Sequence, residues 1–187
     1  MIKRIGKTYI SEKELYQSIY KSLGMKARLN KTITADYLKK HTTSESLLYH
    51  PFWMVKNLVF ADRPPFPPKK IPRMIFIDAV SGYRGIFSHV PPVSEEAVDK
   101  ENIIEALIRE EAVDQYAEDV RAKQIDKQYL LKKPRHEALE TALVYLPIHK
   151  VVVESAEVDK TFYINGNTGE SEQFLSERWK NKKDLIT

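Results

Sequence analysis

The chain has no cysteine and only six glycines in 187 residues. The first absence excludes disulfides, thiolate metal sites and a cysteine nucleophile, while leaving the redox compartment open. The second leaves few tight loops for catalysis. No glycine-rich phosphate cradle or nucleophile-elbow pattern occurs, and Gly82-Tyr83-Arg84-Gly85 spaces its glycines wrongly for either. No apolar run approaches the roughly 18 residues a membrane helix needs. The start, MIKRIGKTYISEKE, lacks the apolar core of a signal peptide, so a soluble, cytoplasmic protein is expected. The five histidines, His41, His50, His89, His136 and His149, show no ligand spacing, and no metal or other cofactor is expected. These absences point away from an enzyme.

What is present is charge, unevenly spread. Residues 1–93 hold 16 Lys and Arg against 6 Asp and Glu, and residues 94–187 hold 14 against 20, so a half of net +10 precedes one of net −6. Such halves neutralise each other within one fold, attract a second copy of the chain, or steer an anionic partner to one end. The cations Lys26, Arg28, Lys31, Lys39 and Lys40, close to Tyr37, form the densest basic stretch and suit a nucleic acid or another anionic ligand. Against that, Tyr16 and Tyr20 fall on the apolar stripe of the first helix, and no nucleic-acid reading motif occurs.

Local signals predict the elements. Ser11-Glu12-Lys13-Glu14 has the form of a capping box, and Leu15, Tyr16, Ile19, Tyr20 and Leu23 recur at helical spacing up to Gly24. Thr34 caps a short helix, and Ser44 starts another turn through Leu47 and Leu48. Residues 51–60 read as a buried strand. The run 62–72, with Pro64, Pro65, Pro67, Pro68 and Pro72, is expected to be extended and outside any ladder, because proline lacks a donor. Residues 74–79 return as a strand. From Ser94 the acids Glu95, Glu96, Asp99 and Glu101 and the stripe Ile103, Ile104, Leu107 and Ile108 predict one long central helix, stopped by Pro134. Residues 136–144 read as a short helix, 149–157 and 161–165 as a hairpin, and the tail around Trp179 as a last helix.

The halves repeat. At an offset of 96, Leu47, Leu48, Tyr49, Pro51 and Val55 fall on Leu143, Val144, Tyr145, Pro147 and Val151. At an offset of 87, Ile77, Asp78, Ser81 and Gly82 fall on Ile164, Asn165, Thr168 and Gly169. The nine-residue difference makes the proline run an insertion in the first hairpin. The expected architecture is α+β: two αββ-like repeats, a basic half 1–93 and an acidic half 94–187, forming an antiparallel sheet covered by helices in one compact unit.

The segments 76–82 and 163–170, each a branched or aromatic strand running into a Ser/Thr-Gly turn, resemble the closing strand and turn of PepSY-type units. That resemblance covers about 40 residues of each half. It implies a role in binding or inhibition rather than catalysis, and Asn165 departs from it where an acid would stand.

Features peculiar to one copy are the expected carriers of function: the proline insertion, and Asp78 set against Asn165. Pro64, Pro67 and Lys69 have the spacing of a polyproline-II ligand, with Arg63 and Phe66 beside them. The plainer reading is a stiff loop packed down by Phe66. The functional expectation is a non-catalytic protein-binding or regulatory module with a protein partner or self-association. The alternative is anionic-ligand binding through the basic half.

Overall fold

The computed structural model describes residues 1–130 and 132–186. It is a mixed α+β fold with a seven-stranded sheet in the order β4-β3-β2-β6-β1-β5, with β7 also paired to β6. The strands are β1 (Ile2–Ile5), β2 (Thr42–Arg63), β3 (Phe66–Asp78), β4 (Arg84–Ile86), β5 (Val93–Glu96), β6 (Arg135–Glu154) and β7 (Asp159–Asn165). The helices are α1 (Glu12–Ser22), α2 (Met25–Leu29), α3 (Ala35–Lys40), α4 (Val113–Val120) and α5 (Gln173–Asn181). The described ladders are antiparallel, except for a parallel contact between Arg4 of β1 and Tyr145 of β6.

Two compact units divide the chain, each drawing on both halves of the sequence. One comprises Met1–His50, Val93–Ile104 and Tyr145–Lys180; the other comprises Pro51–Pro92, Glu105–Val144 and Asn181–Thr187. In the first unit, Ser11 Oγ accepts the Glu14 N–H and the Glu14 carboxylate accepts the Ser11 N–H, closing the capping box that starts α1. The α1 stripe Leu15, Tyr16 and Ile19 then buries against Val151, Val153, Phe162 and Ile164 of the β6–β7 hairpin. In the second unit, Val113, Tyr116, Ala117 and Val120 of α4 bury against Val55, Val59, Ile75 and Ile77 of the β2–β3 hairpin. Each core is a helix laid across a hairpin, and in both cases the helix comes from the other sequence half. A fully buried Leu, Ile or Phe contributes about 1.5–3 kcal/mol to such a core.

The long central helix does not form as one element. Val93–Glu96 pairs with β1 instead, and the N–H groups of Leu107 and Ile108 both donate to Ala79 O. After an isolated 3₁₀ turn at Lys100–Asn102, continuous helical conformation begins at Glu110 and runs through α4, a π turn at Arg121–Ile125 and a 3₁₀ turn ending at Gln128. The spacing of Ile103, Ile104, Leu107 and Ile108 fits a helix, but backbone pairing to strands overrides a propensity worth only tenths of a kcal/mol per residue. Asp119 and Lys123, four apart on this stretch, form an ion pair, whereas Glu105 and Arg109 share no helix.

The short helices expected at 44–48 and 136–144 are instead the beginnings of β2 and β6. These apolar runs are too short for periodicity to separate helix from strand. The proline run is also corrected. It lies in the ladder, with Leu58 opposite Pro72, Phe60 opposite Lys70 and Ala61 opposite Lys69. Parity explains the tolerance. Met74 and Asp78 turn their backbone groups toward β4, where Met74 O accepts from Phe87 N and Asp78 N donates to Tyr83 O. Pro68 and Pro72 share that parity, so their missing N–H groups face away from β2, at the part of the edge β4 does not reach.

Candidate interaction site

The β2–β3 hairpin of the second unit runs far past its core and turns at Arg63–Phe66. Its tip stands beside the chain that leaves the helical stretch at Gln128. Together they form an open groove of about 820 Å³ whose walls include Arg63, Pro64, Pro65, Phe66, Leu130 and Lys132. Phe66 is 67% exposed and Leu130 is 96% exposed. An expectation that Phe66 packs the loop down is therefore corrected. The turn is held by polar contacts instead: Arg63 Nε donates to Pro67 O at 2.8 Å, and Lys132 Nζ meets Asp62 Oδ2 at 2.6 Å. The hydrogen bond to Lys132 holds the Asp62 carboxyl below its ordinary range.

Cations outnumber acids in the two segments that meet at this tip. Residues 60–73 carry Arg63, Lys69, Lys70 and Arg73 against Asp62, and residues 126–137 carry Lys127, Lys132, Lys133 and Arg135 against Asp126 and Glu137. Lys70 Nζ and the Arg135 guanidinium lie 5.5 and 5.3 Å from the Phe60 ring, where cation–π attraction draws cations onto the hairpin face. The sequence candidates Arg63, Pro64, Phe66, Pro67 and Lys69 are thus brought together on one arm. Tyr129, Leu130 and Lys132 were missed. Their signal was the apolar run Tyr129-Leu130-Leu131 ahead of Lys132-Lys133, which read as the end of a helix.

The second candidate set lies in the first unit. Lys26 and Arg28 sit on α2, which buries none of its residues and exposes Met25 and Leu29. Lys31 follows it, and Lys39 and Lys40 close α3. Lys39 is engaged, its Nζ 2.7 Å from Glu12 Oε2, and that bond raises its pKa.

Other polar clusters serve the fold. In the first unit Arg4 is buried, pairs with Glu96 and lies 4.3 Å from the centre of the Tyr9 ring. The hydroxyls of Tyr9 and Tyr49 both donate to Glu96 Oε1, and burial, with that carboxylate close by, pushes both phenols up. In the second unit Asn57, fully buried, joins Arg121 to His136, and His136 joins Asp126.

Asp78 and Asn165, the pair set against each other in the sequence, hold turns of one pattern. Asp78 Oδ1 accepts from Val80 N and Ser81 N, and Asn165 Oδ1 accepts from Asn167 N and Thr168 N. The residue after each donates back to a proline carbonyl, Ala79 to Pro51 and Gly166 to Pro147. Their difference follows from the second side-chain atom. Asp78 Oδ2 accepts the Ser81 hydroxyl, whereas Asn165 Nδ2 donates to the Glu172 carboxylate. Both side chains thus have polar partners in or near their own turns.

Among the described residues no group of three or more His, Asp or Glu is arranged to hold a metal ion, and no helix is long and apolar enough to cross a membrane. No family model, curated protein or solved structure matches the chain.

Proposed function

We propose that the chain is a non-catalytic protein-binding or regulatory module that engages its partner with the tip of the β2–β3 arm. The observation that carries this reading is the pair Phe66 and Leu130, two large apolar side chains left in solvent on one groove whose walls also include Arg63 and Lys132. A protein interface of this kind seats apolar anchors at its centre and charge at its rim. The buried polar groups support the reading, since Arg121, Asn57 and His136 bond one another and Asp78 and Asn165 bond their own turns.

The shared pattern of those two turns supports an internal duplication, with two αββ-like repeats of the PepSY type and the extended arm as the elaboration of one copy. Under this reading the repeat supplies the scaffold and the arm supplies the function. The test is affinity capture from the native cell extract, comparing wild type with Phe66→Asp and Leu130→Asp. Both variants keep the far-UV spectrum and lose the captured protein. Capture unchanged in both overturns the reading.

A second reading, an anionic ligand held by Lys26, Arg28, Lys31, Lys39 and Lys40, is favoured by the exposure of Lys26 and Arg28 on α2, none of whose residues is fully buried. It requires retention on a polyanion that falls steeply with salt and is lost in Lys26→Glu/Arg28→Glu.

A further inference from the structure

The second unit holds one segment of its own chain as a receptor holds a peptide. Residues 182–186 form neither helix nor strand. They make a turn, in which Leu185 N–H donates to Lys182 O at 3.3 Å and Lys182 takes left-handed backbone at φ +49°. The Arg84 guanidinium donates to Asp184 O at 2.7 Å, and the Ile186 N–H donates to the Tyr116 hydroxyl at 3.0 Å. Leu185 and Ile186, both half-buried, pack against the core that α4 builds with the β2–β3 hairpin. Gly82 leaves the space for this approach. A Cβ there would stand 2.6 Å from Asp184 O and 3.0 Å from Leu185 N.

The groups that receive the segment are positioned by other residues. Arg84 Nε donates to Asp119 Oδ2 at 2.8 Å, and its Nη1 donates to Gly82 O at 2.8 Å as well as to the segment. The same guanidinium lies 5.2 Å from the centre of the Tyr116 ring, itself buried on α4. Donor and acceptor are therefore preorganised, which lowers the cost of binding a peptide between them. The segment is held differently. It has no regular secondary structure and none of its residues is fully buried, and stretches of that kind open well below the free energy of global unfolding. Alongside Leu185 and Ile186 the cleft continues as an open groove of about 430 Å³ past Leu107, Ile108 and Ala112, which leaves room for a longer ligand. Arg109 and Glu111, of opposite sign, share its walls, so charge does not choose the occupant.

We propose that this cleft is a peptide-binding site, that residues 182–186 are its resident ligand, and that a partner protein displaces them with a segment of the same pattern. That pattern is a turn offering one carbonyl to Arg84 and the N–H two residues later to Tyr116, with large aliphatic side chains in the places of Leu185 and Ile186. Recognition is then of backbone shape and apolar surface. The site shares no residue with the tip of the β2–β3 arm, so it stands or falls apart from the function proposed for that arm.

The probe is a fluorescein-labelled peptide of residues 180–187, titrated with the full chain and read by fluorescence polarisation. In wild type the linked segment competes at an effective concentration in the millimolar range. Leu185→Asp/Ile186→Asp spoils the resident ligand and leaves Arg84 and Tyr116 in place, so it binds the peptide more tightly than wild type by about tenfold or more. A peptide with an ester in place of the Leu185–Ile186 amide lacks only the N–H, and it binds this variant about fivefold more weakly. Adding Tyr116→Phe to the variant erases the difference between amide and ester. A scrambled peptide does not bind. Equal binding to wild type and variant, equal binding of amide and ester, or equal binding of the scrambled peptide overturns the proposal. If the variant loses its circular dichroism, hydrogen exchange in wild type decides: millimolar peptide speeds exchange of the Ile186 amide as the resident segment leaves, and an unchanged rate overturns the proposal. A wild-type dimer in sedimentation that the variant loses makes a second copy the occupant and overturns a separate partner.

Discussion

Arg121 Nε donates to Asn57 Oδ1 at 3.1 Å inside the second unit, where Asn57 is fully buried and Arg121 is 6% exposed. Because arginine can only donate, the asparagine oxygen must face it, and the amide nitrogen faces His136 Nδ1 at 3.1 Å. That ring nitrogen is then an acceptor. The imidazole carries its proton on Nε2 and donates to Asp126 Oδ1 at 2.7 Å. One contact fixes the direction of every bond in the chain.

Replacing Asn57 with leucine strips a partner from both Arg121 and His136 without freeing either from burial. The loss on Asn57→Leu is expected to be about 1–3 kcal/mol, the range for a buried polar group left unsatisfied, since Arg121 keeps its ion pairs with Asp114 and Glu118. Urea unfolding measures it, and imidazole nitrogen shifts of the wild type should show the Nε2–H tautomer at His136. A loss below about 1 kcal/mol would mean that the network stabilises little.

The Asp78 and Asn165 turns make an asymmetric pair of substitutions. Asp78→Asn keeps the Oδ1 bonds to Val80 and Ser81, and the Ser81 hydroxyl can rotate from donor to acceptor. Asn165→Asp also keeps its two backbone bonds, but it sets a carboxylate against Glu172, replacing the 2.8 Å bond of the amide. At neutral pH the second change should cost about 1–3 kcal/mol more than the first. Acid should shrink the gap, because protonating either carboxyl restores a donor. Paired denaturation curves at two pH values check both statements.

Gly82 and Gly169 both take left-handed backbone, at φ +78° and +75°, and alanine is strained at either. Their surroundings differ. A methyl at Gly82 would meet the backbone oxygen of Asp184 at 2.6 Å, while one at Gly169 would meet the Ser18 hydroxyl at the same distance. A serine side chain turns away on a single bond and a backbone carbonyl does not. Gly82→Ala should therefore lower the thermal midpoint more than Gly169→Ala, and Ser18→Ala should partly relieve only the latter.

Residue order made the short-range features legible. The Ser11–Glu14 box, the Thr34 cap and the Gly-terminated turns rest on neighbours within four positions, and they could be read before any partner was known. The long-range choices could not. Residues 136–144 have apolar positions compatible with a helix and become strand through sheet pairing. The stripe from Ile103 loses its helix to carbonyls as distant as Ala79. The tip shows both sides of this. Pro64 to Lys69 announced an unusual segment, whereas its neighbours Leu130 and Lys132 come from 60 and more residues away and only folding brings them together.

Two titrating groups in the first unit should bend its stability with pH in opposite senses. Burial raises the pKa of Glu172, with Glu170 adding to the shift and the Asn165 amide and His50 opposing it. The folded chain holds that proton more tightly than the unfolded chain, so its contribution is full below the ordinary value of 4.5 and is lost as pH rises through the raised one. Burial lowers the pKa of His149, with the Glu45 carboxylate 3.7 Å away as the opposing influence and Tyr16 bonded to that same carboxylate. Here the contribution is full above the ordinary value of 6.5 and is lost as pH falls through it toward the lowered one. Between 4.5 and 6.5 the two slopes oppose each other and flatten the wild-type curve. Glu172→Gln, which keeps an acceptor for Asn165, should be more stable than wild type at neutral pH and should lose midpoint as pH falls. His149→Gln should do the reverse, gaining midpoint as pH falls below 6.5. Thermal melts of the three proteins across that range decide the matter, since parallel curves would show that neither group carries the pH dependence.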